Sequence, residues 1–157
     1  MVGLLLFLVV LVAAIVALGL FGYGCGAVTR RGPAVRAVAA LLGAVAAAAY
    51  ALGGVCLGLT VLDATDGGAD SAPMRPCRVA GPERANHVVD YEVEFVPLGF
   101  TCVVEDSGGE DYGVGDEAVP HELNLVAFGS GAAAVGAGLA GAYAKRRRAG
   151  VRAGSSE

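Results

Sequence analysis

Four cysteines and two histidines carry the most versatile chemistry in this 157-residue chain. Cys77 and Cys102 lie in a segment rich in carboxylates, whereas Cys25 and Cys56 lie inside long apolar runs. A bond between Cys77 and Cys102 would close a loop of 26 residues. Chain-entropy estimates give such a loop about 3–4 kcal/mol of stabilisation. Disulfides persist in oxidising compartments, so the pairing is expected if this segment faces outward; two free thiols are the alternative. Cys25 and Cys56 read as small apolar packing residues.

His87 has Asp90 nearby and His121 is followed by Glu122. Zinc sites recur at closer, patterned spacings, so both histidines read as solvated surface groups and no metal is assigned. The run from Asp63 to Asp70 resembles a calcium loop only loosely. It lacks oxygens at alternate positions and the late Glu that such loops use. Glu105, Asp106, Glu110 and Asp111 form a second acidic cluster around glycines. Both clusters read as solvating acidic surface.

No catalytic constellation emerges. Ser130 sits within Gly129-Ser130-Gly131 in an apolar run, without the strand-to-helix elbow of a serine hydrolase. Gly22, Gly24 and Gly26 follow no strand, which a phosphate-binding loop requires. The expectation is a protein that is not an enzyme, needs no cofactor and binds no nucleic acid.

The elements around these residues are set by hydropathy. The set Ala, Val, Ile, Leu, Met, Phe, Trp, Tyr and Cys makes up 55% of the chain, and charged residues make up 17%. Ordinary soluble domains are about 45–50% apolar and about 25% charged. Residues 2–29, 37–62 and 123–144 contain no charge at all. About 20 apolar residues cross a bilayer core of about 30 Å, so three transmembrane helices are expected. The first block lacks a basic n-region and is too long for a signal peptide, so it reads as a retained helix. Pro33 suits the first turn of the second helix, and Pro120 precedes the third. Glu122 and the basic run at 145–148 complement the dipole of that third helix.

Basic residues near span ends set orientation. Arg30, Arg31 and Arg36 mark the connector 30–36. Lys145, Arg146, Arg147 and Arg148 open the tail 145–157. Both segments are therefore expected inside, with the N-terminus and residues 63–121 outside. These basic residues could also meet anionic headgroups, at about 1 kcal/mol each.

Residues 63–121 hold 13 Asp and Glu against three Arg. Residues 63–76 read as a flexible arm. Val89, Tyr91, Val93 and Phe95 alternate with Asp90, Glu92 and Glu94, the period of a half-buried strand. Phe100, Cys102 and Val104 alternate again. A β-hairpin over 88–95 and 100–105 follows, turning at Pro97-Leu98-Gly99.

The spans carry no ionisable residue to mark an ion path. Tyr50 is expected to bond a neighbouring helix, and Asn124 lies near the outer end of the third span. Small residues four apart let helices approach closely in lipid. Such sets occur at Gly22 and Gly26, at Ala39, Gly43 and Ala47, and at Gly54 and Gly58. Gly129, Ala133, Ala137 and Gly141 form the longest stripe, with Ala132, Gly136, Ala140 and Ala144 beside it. The third helix is therefore expected to contact another subunit as well.

The fold class is an all-α membrane protein: three transmembrane helices with a small extracytoplasmic β-hairpin module between helices 2 and 3. Its segments are 1–29, 30–36, 37–62, 63–121, 122–144 and 145–157. The expected partners are the lipid bilayer and a membrane protein or second copy of the chain. The expected role is an accessory, scaffold or sensing subunit; a component of a transporter or channel assembly is the alternative. Arg outnumbers Lys ten to one, a bias that resembles a high-GC bacterium, so the membrane is expected to be a bacterial plasma membrane.

Overall fold

A computed structural model describes residues 2–29, 34–66, 75–105, 110–115 and 118–154. Three helices among them are long and apolar enough to cross a membrane. These are α1 (Val2–Thr29), α2 (Ala34–Asp66) and α4 (His121–Gly154). Between α2 and α4 lie a 3-10 turn (Arg75–Ala80), a short α3 (Pro82–Ala85) and strands β1 (Val88–Phe95), β2 (Leu98–Val104) and β3 (Tyr112–Gly113).

α1 matches its uncharged run, whereas α2 and α4 extend beyond theirs. α2 continues to Asp66, and in that added turn Ala64 packs against the core that buries Leu57 and Val61. α4 continues through the basic residues to Gly154. Lys and Arg are good helix formers and suit a negative C-terminal end. Around α1 large apolar side chains face outward, with Leu4 68% and Leu18 74% exposed. A helix that is apolar all round wants an apolar environment on every side.

The chain divides into two compact units that share these helices. The first unit comprises Met1–Val12 and Ala49–Leu125, and the second Ala13–Ala48 and Val126–Glu157.

In the first unit, Leu6 of α1 and Leu57 and Val61 of α2 join a core with Leu98, Phe100 and Val114. The three strands form an antiparallel sheet in the order β1-β2-β3. Along β2, Leu98, Phe100, Cys102 and Val104 are buried while the residues between them are not. This is the period-two burial of a strand with one face on a core.

Three details depart from the sequence expectation. The turn is Val96-Pro97, with Phe95 paired to Leu98. Leu98 is 4% exposed, so burying it draws it into the strand, while Pro97 has no N–H to give a ladder. The register shifts between Val88 and Asp90, and Val89 turns outward at 58% exposure. A one-residue irregularity flips the face of the residue beside it. Finally, β3 pairs Gly113 with Thr101 and Tyr112 with Cys102; two residues among glycines carry no periodicity. After β3, Gly115 adopts a left-handed φ of 64°, and its carbonyl accepts from the N–H groups of Ala118 and Val119.

Close helix contacts in this unit fall at glycines of α2. A Cβ on Gly54 would stand 2.6 Å from Val10, and one on Gly53 2.8 Å from Leu98. In the second unit, a Cβ on Gly24 would stand 2.8 Å from Leu41. A Cβ on Gly43 would stand 3.1 Å from Leu20 and one on Gly141 3.2 Å from Val35, while one on Gly131 would make ordinary contact with Ala46. Gly24 is thus the α1 glycine in close contact here, whereas a Cβ on Gly22 or Gly26 would meet nothing within 4 Å.

Candidate functional site

The acidic module of the first unit has the most specific geometry in the chain. Its centre is the pair Cys77 and Cys102, both fully buried. Their sulfurs are 1.95 Å apart and their Cα atoms 6.1 Å apart, compatible with the expected staple. It joins the 3-10 turn to the middle of β2. The Tyr112 hydroxyl donates to the Cys77 carbonyl at 2.6 Å, tying β3 to the same turn. Cys25 and Cys56 are free cysteines.

Phe100 lies beside the staple at 2% exposure. Its ring stacks on Tyr91 with centroids 5.1 Å apart. The Asp111 carboxylate accepts from the Val104 N–H at 2.9 Å, closing the end of β2.

Two side chains from the helices hold the turn of the hairpin. The Tyr50 hydroxyl donates to the Phe95 carbonyl at 2.9 Å. This corrects the expectation of a neighbouring helix as its partner: the carbonyl at the turn end of β1 is the acceptor within reach. Asn124 of α4 accepts from the Leu98 N–H at 3.1 Å and donates to the Leu98 carbonyl at 3.0 Å. Its amide thereby mimics one more residue of a strand.

Removing that amide takes a partner from both the N–H and the carbonyl of Leu98, at about 1–3 kcal/mol for a buried group left unmade. Asn124→Leu is therefore expected to raise hydrogen exchange of the Leu98 amide by at least tenfold. An unchanged exchange rate would show that the clamp contributes nothing.

The outward face of the hairpin is a ridge of carboxylates. Asp90, Glu92 and Glu94 are exposed along β1, and Glu105 and Glu110 are exposed beyond β2. Such a ridge attracts cationic surfaces over about one Debye length, about 8 Å at physiological salt.

The histidines sit apart from the staple. His87 is exposed, and its carbonyl accepts from the Glu105 N–H. His121 begins α4 with Nδ1 3.6 Å from Glu122. Among the described residues, no group of three or more His, Cys, Asp or Glu could hold a metal ion. The Ser130 hydroxyl donates to the Val126 carbonyl one turn back, a local bond common for Ser within helices. Asp63 pairs with Arg75 at 3.5 Å, both side chains well exposed; the rest of the acidic arm from 67 to 74, and Asp106, lie outside the described residues.

The small-residue stripe of α4 divides between two surroundings. Gly129 and Ala133 are exposed, while Ala137 and Gly141 are partly covered. Four-residue spacing advances by more than one turn of 3.6, so a long stripe winds off any single face.

The basic residues gather in the second unit. Arg36, Lys145 and Arg146 line one cleft of about 700 Å³. Arg147 stands over the Tyr143 ring at 5.6 Å, within cation–π range. Arg30 and Arg31 lie outside the described residues, as does the side chain of Arg148.

No family model, curated protein or solved structure matches this chain.

Proposed function

We propose that this chain is an integral protein of a bacterial plasma membrane that crosses it three times. The N-terminus and the acidic module face outside, and the basic tail faces the cytoplasm. Its role is non-catalytic: an accessory, scaffold or sensing subunit that meets its partner through the acidic ridge and the exposed face of α4. The observation that carries this reading is the segregation of charge around three uncharged runs. Thirteen carboxylates against three Arg occupy residues 63–121, while 30–36 and 145–152 hold eight Lys and Arg and no acid. Basic segments are retained on the cytoplasmic side during insertion. The buried pair Cys77 and Cys102 supports an oxidising outer compartment for the module.

Orientation is tested with Glu110→Cys, an exposed site on the module. A membrane-impermeant maleimide is expected to label it in intact cells; labelling only in inverted vesicles overturns the topology. The role is tested by reversing the ridge, Asp90→Lys with Glu92→Lys and Glu94→Lys, and measuring the size of the complex in mild detergent. A loss of the larger species supports a partner at the module. Solute flux through reconstituted vesicles would replace the accessory role with transport.

A further inference from the structure

The second unit is unbalanced in charge. Apart from Glu157, residues 13–48 and 126–157 contain no Asp or Glu, yet they carry eight Lys and Arg. No side chain nearby in these stretches can neutralise Arg36, Lys145 or Arg146. A signal for topology needs the cations only in sequence. The structure adds that these three line a common cleft of about 700 Å³, inside the range of about 300–1,000 Å³ typical of ligand sites.

The rest of the cleft is apolar apart from Tyr23. Leu20 and Tyr23 come from α1, Ala39 from α2 and Gly138 from α4. Small residues leave the space open: a Cβ on Gly138 would meet nothing within 4 Å. An apolar trough with three cations among its lining residues matches an amphiphile with an anionic head and a hydrocarbon tail. Basic pockets between membrane helices recognise acidic headgroups in this way. A free phosphate would gain the cations but nothing from the apolar lining.

We propose that this cleft binds an anionic phospholipid. The phosphate lies against Arg36, Lys145 and Arg146, and an acyl chain lies along Leu20, Ala39 and Gly138. The inference rests on the membrane reading above.

The chain has no Trp, so Tyr23→Trp places a single fluorescent reporter in the cleft. The variant is reconstituted in vesicles of phosphatidylcholine and phosphatidylglycerol, with one or the other carrying brominated acyl chains. At equal mole fraction, brominated phosphatidylglycerol is expected to quench the reporter several times more strongly than brominated phosphatidylcholine. Loss of each cation should weaken the preference about fivefold, so Arg36→Gln with Lys145→Gln and Arg146→Gln should abolish it. Gly138→Leu should reduce it by filling the trough without changing charge. Equal quenching by both lipids, or a preference that survives both variants, overturns the lipid site and leaves the membrane reading standing. Quenching by neither lipid overturns the membrane reading itself, and the site with it.

Discussion

Replacing Cys77 and Cys102 together by Ala is expected to destabilise the acidic module by about 3–4 kcal/mol, from the chain entropy of the released loop. The two cysteines are separated by 25 residues and fully buried. The bond works alongside the Tyr112 hydroxyl, which donates to the carbonyl of Cys77 and ties the same turn to β3. A short sheet has little core of its own to offset loss of the bond. Trypsin provides the measurement, because Arg78 is exposed in that turn and is followed by Val79, a bond the protease cuts. The wild type should resist cleavage there until reductant is added, and the double variant should be cut without it. Equal resistance in the oxidised, reduced and substituted proteins would show that the staple carries no stability. Using both substitutions avoids leaving one buried thiol unpaired.

Phe100→Ala should cost about 3–5 kcal/mol, the usual range for an aromatic side chain removed from a core. Phe100 is 2% exposed, stacks on Tyr91 and lies on the middle strand of the sheet. Its carbonyl also accepts from the Val114 N–H at 2.9 Å, so collapse around a cavity would disturb β3 as well. Hydrogen exchange at Thr101 and Val114 should rise steeply in this variant. Phe100→Leu, which keeps much of the volume, should cost clearly less. Val89→Ala is the matched control: Val89 is 58% exposed, and surface changes usually stay within about 0.5 kcal/mol. If Phe100→Ala behaves like Val89→Ala, the module does not have the core described above.

Both expectations depend on features that differ in how visible they are in the sequence. Three long apolar helices are legible because an uncharged run of 22 residues or more has few alternatives. Their ends are less legible. α2 reaches Asp66 because Leu57, Val61 and Ala64 pack against the module, and the module is distant in sequence. The hairpin is legible from alternation along 88–95. Its turn is not, since Leu98 reads as a turn neighbour of Pro97 until a core exists to bury it. β3 is two residues long and leaves no period to find.

The polar holds on the module escaped a reading from the sequence for one reason. Tyr50, Asn124 and Tyr112 all bond backbone groups. A backbone acceptor has no residue type, so no pairing of side chains in the sequence announces it. The cleft of the second unit shows the reverse. Arg36, Lys145 and Arg146 were visible as cations, but the cavity they share exists only once three helices have packed.

Three long uncharged runs, basic connectors, and one acidic segment with two cysteines are legible without a structure. Those follow from local composition, because charge and hydropathy act residue by residue. Tertiary packing decides that the expected Cys77–Cys102 pair is buried against the middle strand of a three-stranded sheet, that α1 and α2 lend Leu6 and Leu57 to its core, and that the cations of α2 and α4 line one trough. Those are juxtapositions of distant segments, settled by which side chains fit together, and packing of that kind leaves no local signature to read.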